Sequence, residues 1–319
     1  MKSAFSRLVI GAALACVSHL VAAQAITGTV TVTQQGNGNT SAAEQSSNPA
    51  SPVNNPTATI TQIGNDNHVG GPGSTMSGVL QLNNLGTVEA RIRQNGSGNK
   101  AGMTQVDNFA LIYPTIGQIT QLGDNNTATL RQQTSDAIEA TIDQTGTGNL
   151  ARVEQNAGTA NLRTTQNGVG NSVTVIVQGG GPFGGPNVIQ DGEGNVATVI
   201  GQGSGASGPR IEQSGSFNLA SAVQTSVFDS NATIRQQGIG NSADTNQTGD
   251  NHRIDIDQNG NGNLASVSQA SQLSSFPGNL ATIAQAGNSN TAIVRQVGQG
   301  WVANVSQVGN GNWTSIYQH

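Results

Sequence analysis

Residues 94–105 read Gln94-Asn95-Gly96-Ser97-Gly98-Asn99-Lys100-Ala101-Gly102-Met103-Thr104-Gln105. The skeleton Gln-x-Gly-x-x-Asn returns twelve times, with its first Gln at 34, 62, 94, 121, 144, 166, 190, 213, 236, 258, 285 and 307. Seven copies keep the longer form Gln-x-Gly-x-x-Asn-x-Ala-x-x-x-Gln, starting at Gln94, Gln121, Gln144, Gln213, Gln236, Gln258 and Gln285. From 121 to 258 the steps between first glutamines are 23, 22, 24, 23, 23 and 22 residues. A period of ~20–50 residues marks an architecture in which each unit buries its face only against its neighbours.

Around each first Gln (position i) the chain alternates. Position i−2 holds Val32, Ile60, Ile92, Ile119, Ile142, Thr164, Val188, Ile211, Ile234, Ile256, Ile283 and Val305; position i+9 includes Met103, Leu130, Val153, Val175, Val199, Val267, Val294 and Ile316. Residues two apart in a strand share a face, so i−2 lies with i, and i+7 and i+9 lie with i+11. Thr, Ser, Arg, Asp and Glu fill the alternate positions, as a solvated face should. Each repeat is therefore two short strands, and Gly-x-x-Asn is the turn between them: Gly permits positive φ, and Asn tolerates the left-handed region. The expected fold is all-β, a β-solenoid of about 12 coils, each ~22–23 residues, with loop insertions.

The ladder candidates are the inward amides Gln94, Asn99, Gln105, Gln121, Asn126, Gln132, Gln144, Asn149, Gln155, Gln213, Asn218, Gln224, Gln236, Asn241, Gln247, Gln258, Asn263, Gln269, Gln285, Asn290, Gln296, Gln307, Asn312 and Gln318. The turn glycines are Gly96, Gly123, Gly146, Gly215, Gly238, Gly260, Gly287 and Gly309. The second turn that closes each coil is less regular. Segments Ser46–Thr59, Val106–Gly117, Gly179–Asn187 and Ala270–Asn279 all contain proline and are expected to bulge as loops, because proline lacks a ladder donor. On the outward face Glu212, Arg235 and Asp257 occupy i−1 of three consecutive repeats, so stacking would alternate their charges.

Composition excludes several function classes. Aromatics are 3% and charged residues 9%, with 43 glycines, so a conventional greasy core is not available. The net charge of −5 disfavours nucleic acid or an anionic membrane as partner. Residues 1–23 read as a secretory signal peptide: Lys2 and Arg7, then an apolar run from Leu8 to Val21, then Val21-Ala22-Ala23 before Gln24. The mature region is then 24–319, without Cys16, the only cysteine, and without an apolar run long enough to span a bilayer.

Catalytic and metal chemistry find little support. His68, His252 and His319 fall in a loop, a turn and the terminus, none near another, and no paired metal-ligand spacing appears. Asp255 and Asp257 share an outward face, where a solvated surface explains them. No catalytic residue, cofactor or metal site is expected, and the chain is not expected to be an enzyme. Trp301, Trp313 and Tyr317 form either an aromatic cap or a docking surface at the last repeats.

The motif Gln-x-Gly-x-x-Asn-x-Ala-x-x-x-Gln resembles the curlin repeat, the building block of the bacterial extracellular amyloid fibres called curli; the likeness runs from about Gln34 to Gln318. The resemblance implies a secreted subunit that polymerises at the cell surface into a biofilm and adhesion fibre. It also implies three kinds of partner: further copies of itself, a related curli subunit and an outer-membrane export pore. Familiar members carry about five repeats and open each with Ser, a residue mostly missing here, so a nucleator role stands beside that of main subunit. The alternative from another class is a monomeric solenoid that binds a surface or glycan through its outward Thr/Asn rows, with Thr59, Thr61, Thr120, Thr129, Thr141, Thr174, Thr198, Thr233 and Thr282 on that parity.

Overall fold

A computed structural model describes residues 9–10, 28–47, 54–70, 78–135, 139–158, 161–179, 185–203, 208–225, 228–271 and 277–319. The expected signal peptide lies outside these residues, apart from Val9–Ile10. Every regular element among them is a β-strand, and the contacts divide the chain into two units, residues 1–159 and 160–319.

In residues 160–319 the strands before the Gly-x-x-Asn turn form one parallel sheet: Leu162–Val169, Asn187–Glu193, Arg210–Ser216, Asn231–Ile239, Arg253–Asn261, Leu280–Ala286 and Val302–Val308. The strands after it form a second: Ser172–Gln178, Val196–Gln202, Leu219–Thr225, Ser242–Thr248, Leu264–Ala270, Thr291–Val297 and Trp313–Gln318. The pairing is in register, so equivalent residues stack: Ile211 pairs Ile234, Gln213 pairs Gln236 and Gly215 pairs Gly238. This is a β-solenoid. Register is fixed because a one-residue slip would turn every buried side chain outward.

Residues 1–159 follow the same plan less evenly. The first sheet takes Thr29–Gln35, Asn54–Ile63, the later part of Val79–Asn95, Phe109–Asp124 and Glu139–Thr147. The second takes the short pieces Thr40–Ser41, Ala43–Ser47 and His68–Val69, the start of Val79–Asn95, then Lys100–Val106, Thr127–Ser135 and Leu150–Gly158. The count of regular turns is accordingly about nine, against the twelve expected. The repeats at Gln34 and Gln62 lose regularity because their second strands are broken, and that of Gln62 is also fused to the next coil through the 17-residue strand Val79–Asn95.

Two of the expected loops are corrected. Asn54–Thr59 is already strand, with Pro56 buried opposite Val88 near the strand's start, where a missing donor is tolerated. Phe109 onward is strand as well, and the surplus residues sit between Ala110, which faces Gly86, and Thr115, which faces Val88. That insertion is a bulge within the ladder, with Pro114 exposed on it. The centres of the other two, residues 180–184 and 272–276, lie outside the described residues.

The core of each unit is a narrow seam between its two sheets. Ile211, Ile234, Ile256 and Ile283 form one buried column in residues 160–319, with Val175, Val199, Val267 and Val294 in the opposite sheet. In residues 1–159 the equivalents are Ile60, Ile92, Ile119 and Ile142, with Met103, Leu130 and Val153. Fully burying each such side chain contributes about 1.5–3 kcal/mol. A third inward column at i−4, including Ala90, Ala140, Ala232, Ile254 and Ala281, had no counterpart in the sequence reading.

Candidate functional site

The seam ends at each edge in buried amides rather than hydrocarbon. In the first sheet, Gln62 donates through Nε2 to Gln94 Oε1 at 2.8 Å, Gln94 to Gln121 at 2.8 Å and Gln121 to Gln144 at 2.9 Å. In residues 160–319 the chain runs Gln190 to Gln213, Gln213 to Gln236, Gln236 to Gln258, Gln258 to Gln285 and Gln285 to Gln307, at 2.8–2.9 Å. The second sheet repeats the device with Gln81 to Gln105 and Gln105 to Gln132, each 2.8 Å. Gln155 stands beside Gln132 in register. Further on, Gln224, Gln247, Gln269, Gln296 and Gln318 connect in turn at 2.8–3.1 Å.

At the turn, each Asn binds backward. The Asn241 backbone N–H and Nδ2 both donate to Asn218 Oδ1, at 3.0 and 3.1 Å, while Nδ2 also reaches Gln237 O and Gly260 O. The same two backward bonds, from N–H and Nδ2 to the preceding Oδ1, join Asn263 to Asn241, Asn290 to Asn263 and Asn312 to Asn290. In residues 1–159 it joins Asn99 to Asn67, Asn126 to Asn99 and Asn149 to Asn126. The amide orientations are fixed by chemistry. An Asn oxygen that accepts a backbone N–H cannot be a nitrogen, and Gln236 Nε2 donates at 2.9 Å to the Leu219 carbonyl, which can only accept. Gln columns thus donate forward along the chain and Asn columns donate backward, so their dipoles oppose. A buried amide left unpaired would cost about 1–3 kcal/mol, and these rows leave few.

The turn glycines answer two demands at once. Gly238 has φ +118°, and a Cβ there would be driven into the carbonyl oxygen of Gly260 in the next coil. Gly96, Gly123, Gly215, Gly260 and Gly287 share both properties, with φ between +108° and +130°. Gly146 and Gly309 share the positive φ, at +112° and +108°.

The closing corner is the part that sequence reasoning missed. At position i−6 in residues 160–319 stand Ser230, His252, Asn279 and Trp301. The His252 N–H donates to Ser230 Oγ at 2.9 Å, the Asn279 N–H to His252 Nδ1 at 3.0 Å and the Trp301 N–H to Asn279 Oδ1 at 3.0 Å. Because Nδ1 accepts the Asn279 N–H it carries no proton, so the imidazole is neutral with its proton on Nε2, which lies 3.2 Å from Thr248 O. Burial lowers its pKa, opposed by the Thr248 hydrogen bond and by Asp250. In residues 1–159, Asn108 bonds Asn84 in the same manner, and neither belongs to the repeat motif. No residue type recurs in this column, and the shared i−6 spacing is the one sequence signal that ties its members together. His68, expected in a loop, lies in the strand His68–Val69 with Thr40 Oγ1 2.7 Å from Nδ1.

On the outer faces, Arg235 reaches Glu212 at 3.4 Å and stands beside Asp257 in register. Closer pairs join residues two apart on one strand: Arg91 with Glu89, Arg152 with Glu154, Arg210 with Glu212 and Arg253 with Asp255. The Asp255 hydrogen bond raises the Arg253 pKa. Among the described residues no group of three or more His, Cys, Asp or Glu is placed to hold a metal ion, and no helix is long and apolar enough to cross a membrane.

Parallel coils in strict register, laced by internal Gln and Asn columns and turned on obligatory glycines, define the chain as an amide-ladder β-solenoid. The family model of the curlin associated repeat matches residues 227–260 and 239–270, and this match supports a curlin-family assignment. No curated protein matches the chain significantly.

Proposed function

We propose that this chain is a secreted structural subunit that self-assembles into extracellular curli-like amyloid fibres for biofilm matrix and cell adhesion. The observation that carries the reading is the state of the last coil. Val302–Val308 pairs with Leu280–Ala286, and Trp313–Gln318 with Thr291–Val297, on one side only among the described strands. An open parallel edge that keeps its ladder chemistry is a template for another chain. The curlin repeat match agrees with a structural rather than catalytic role. Export would pass through an outer-membrane curli pore, with copies of itself or a related subunit as the assembly partner.

A surface-binding monomer would need one residue type on successive coils of a face. The outward rows here mix Thr with Arg, Glu and Ser, as in Glu212 beside Arg235 and Thr198 beside Ser221. The test is to incubate purified residues 24–319 at micromolar concentration and follow thioflavin fluorescence and electron microscopy. Fibres are expected; monomer persisting for days would overturn the reading.

A further inference from the structure

The two outer faces of residues 160–319 differ in charge. The first sheet carries Arg210, Glu212, Arg235, Arg253, Asp255 and Asp257 on alternate outward positions. Over the coils from Gln213 to Gln318 the outer face of the second sheet carries only two charged side chains, Asp244 and Arg295, both exposed. Its other outward positions are apolar or neutral. Leu219 is 48% exposed, Leu264 41%, Trp313 69% and Tyr317 55%. In-register pairing lines these residues up on successive strands, with Leu219, Ser242, Leu264, Thr291 and Trp313 forming one row. A contiguous exposed patch of this kind marks an interaction surface.

The pattern on this face is self-complementary about its middle strand, Leu264–Ala270. One strand to either side stand Asp244 and Arg295; two strands to either side stand Leu219 with Val223 and Trp313 with Tyr317. We infer that this face docks flat on the same face of a second copy, about a two-fold axis along Leu264–Ala270, with the two stacks antiparallel. Such an axis keeps strand direction and reverses the order of coils. Leu219 then meets Trp313 of the second copy, Val223 meets its Tyr317, and Ser266 meets Ser266. Asp244 lies diagonal to Arg295 of the second copy, twice over by symmetry, and a long guanidinium side chain spans that diagonal. Arg295 is held on this face by Tyr317, its guanidinium 5.4 Å from the ring centroid. A two-fold axis along the stack would instead set Asp244 against Asp244 and Arg295 against Arg295, which repulsion disfavours. Five strands about 4.8 Å apart and about 23 Å long bury on the order of 1,100 Å² over both copies, the size a specific interface requires.

Residues 24–319 contain no cysteine, so one introduced thiol reports the joint. Ser266→Cys places it on the proposed axis; Ala284→Cys, exposed on the outer face of the first sheet, is the control. Freshly prepared soluble chain is treated with a short bismaleimide, and covalent dimer is read on a denaturing gel. Ser266→Cys should give about fivefold more dimer than Ala284→Cys. Adding Asp244→Arg or Arg295→Asp to Ser266→Cys should cut the dimer about tenfold, and adding both should restore it to within about twofold, because the swapped charges face each other again. Leu219→Lys, opposite Trp313, should cut it about tenfold as well and decides the matter should a charge reversal fail to fold. Equal crosslinking at the two cysteines, single variants that leave the Ser266→Cys dimer unchanged, or a double reversal no better than the singles would each overturn the joint. Thioflavin fluorescence of the same samples follows fibre growth separately, so fibres without the crosslink sink this inference alone.

Discussion

The two corners of a coil do the same job under different rules. At the Gly-x-x-Asn corner, Gly238 must hold positive φ and leave room for the Gly260 carbonyl, while Asn241 bonds groups in the preceding coil, its own coil and the following one. Few residues meet either set of demands, so the corner repeats almost unchanged. At the closing corner the column needs an acceptor for the next coil's N–H and a donor for a nearby carbonyl. That carbonyl is Gly249 O for Ser230, Thr248 O for His252 and Gly298 O for Asn279, and several residue types supply both groups. Ser230 Oγ, His252 Nδ1 and Asn279 Oδ1 all serve, at 2.9–3.0 Å. Sequence constancy follows the number of constraints on a position, not its burial: His252 is 1% exposed and Asn241 0%.

The comparison breaks hardest at a glycine. Gly238→Ala should destabilise the folded chain by about 3 kcal/mol or more, since it combines backbone strain with a backbone clash. Gly240→Ala, two residues on, with φ +65° and nothing within 4 Å of its missing Cβ, should cost only about 1 kcal/mol. Chemical denaturation of both variants reads the difference, and equal losses would remove the steric half of the argument.

Next in size are the amides. Asn241→Ala should cost about 2–3 kcal/mol because it strips partners from buried groups in neighbouring coils. Asn279→Ser, which keeps an acceptor at the permissive corner, should cost about 1 kcal/mol or less in the same assay. A reversed order would show that the closing corner is the more constrained one.

A pH titration sharpens the contrast further. His252 accepts the Asn279 N–H only when neutral, and burial holds its folded pKa below the unfolded value. Its contribution is therefore full above the unfolded pKa of about 6.5 and is lost as pH falls from there toward the folded pKa. Melting of residues 24–319 should show acid destabilisation beginning below that point, and His252→Asn should flatten it. The smallest effect belongs to the outer face, where Arg235→Ala should change stability by less than about 0.5 kcal/mol in the same melts, because both partners of the pair with Glu212 are solvated.

Much of this architecture was legible because the repeat is redundant. The Gln, Gly, Asn and apolar columns recur at fixed offsets, and parallel in-register pairing converts each offset into a stack. What escaped had no repetition to reveal it. Ser230, His252, Asn279 and Trp301 are unlike one another, Gln81 and Asn84 stand outside the motif, and Pro114 was read as a loop when the ladder absorbs it as a bulge. The Gln-x-Gly-x-x-Asn count overshot the regular turns for a related reason: a turn motif survives at Gln34 and Gln62 although the strands around it are broken or shared.

Fibre diffraction from aligned assemblies of residues 24–319 tests the central claim most directly, because stacking coil on coil across molecules sets one repeat. The account predicts a sharp meridional reflection at about 4.7–4.8 Å, the spacing of paired strands perpendicular to the fibre. Assemblies without that reflection, or a chain that forms no ordered assembly, would contradict it.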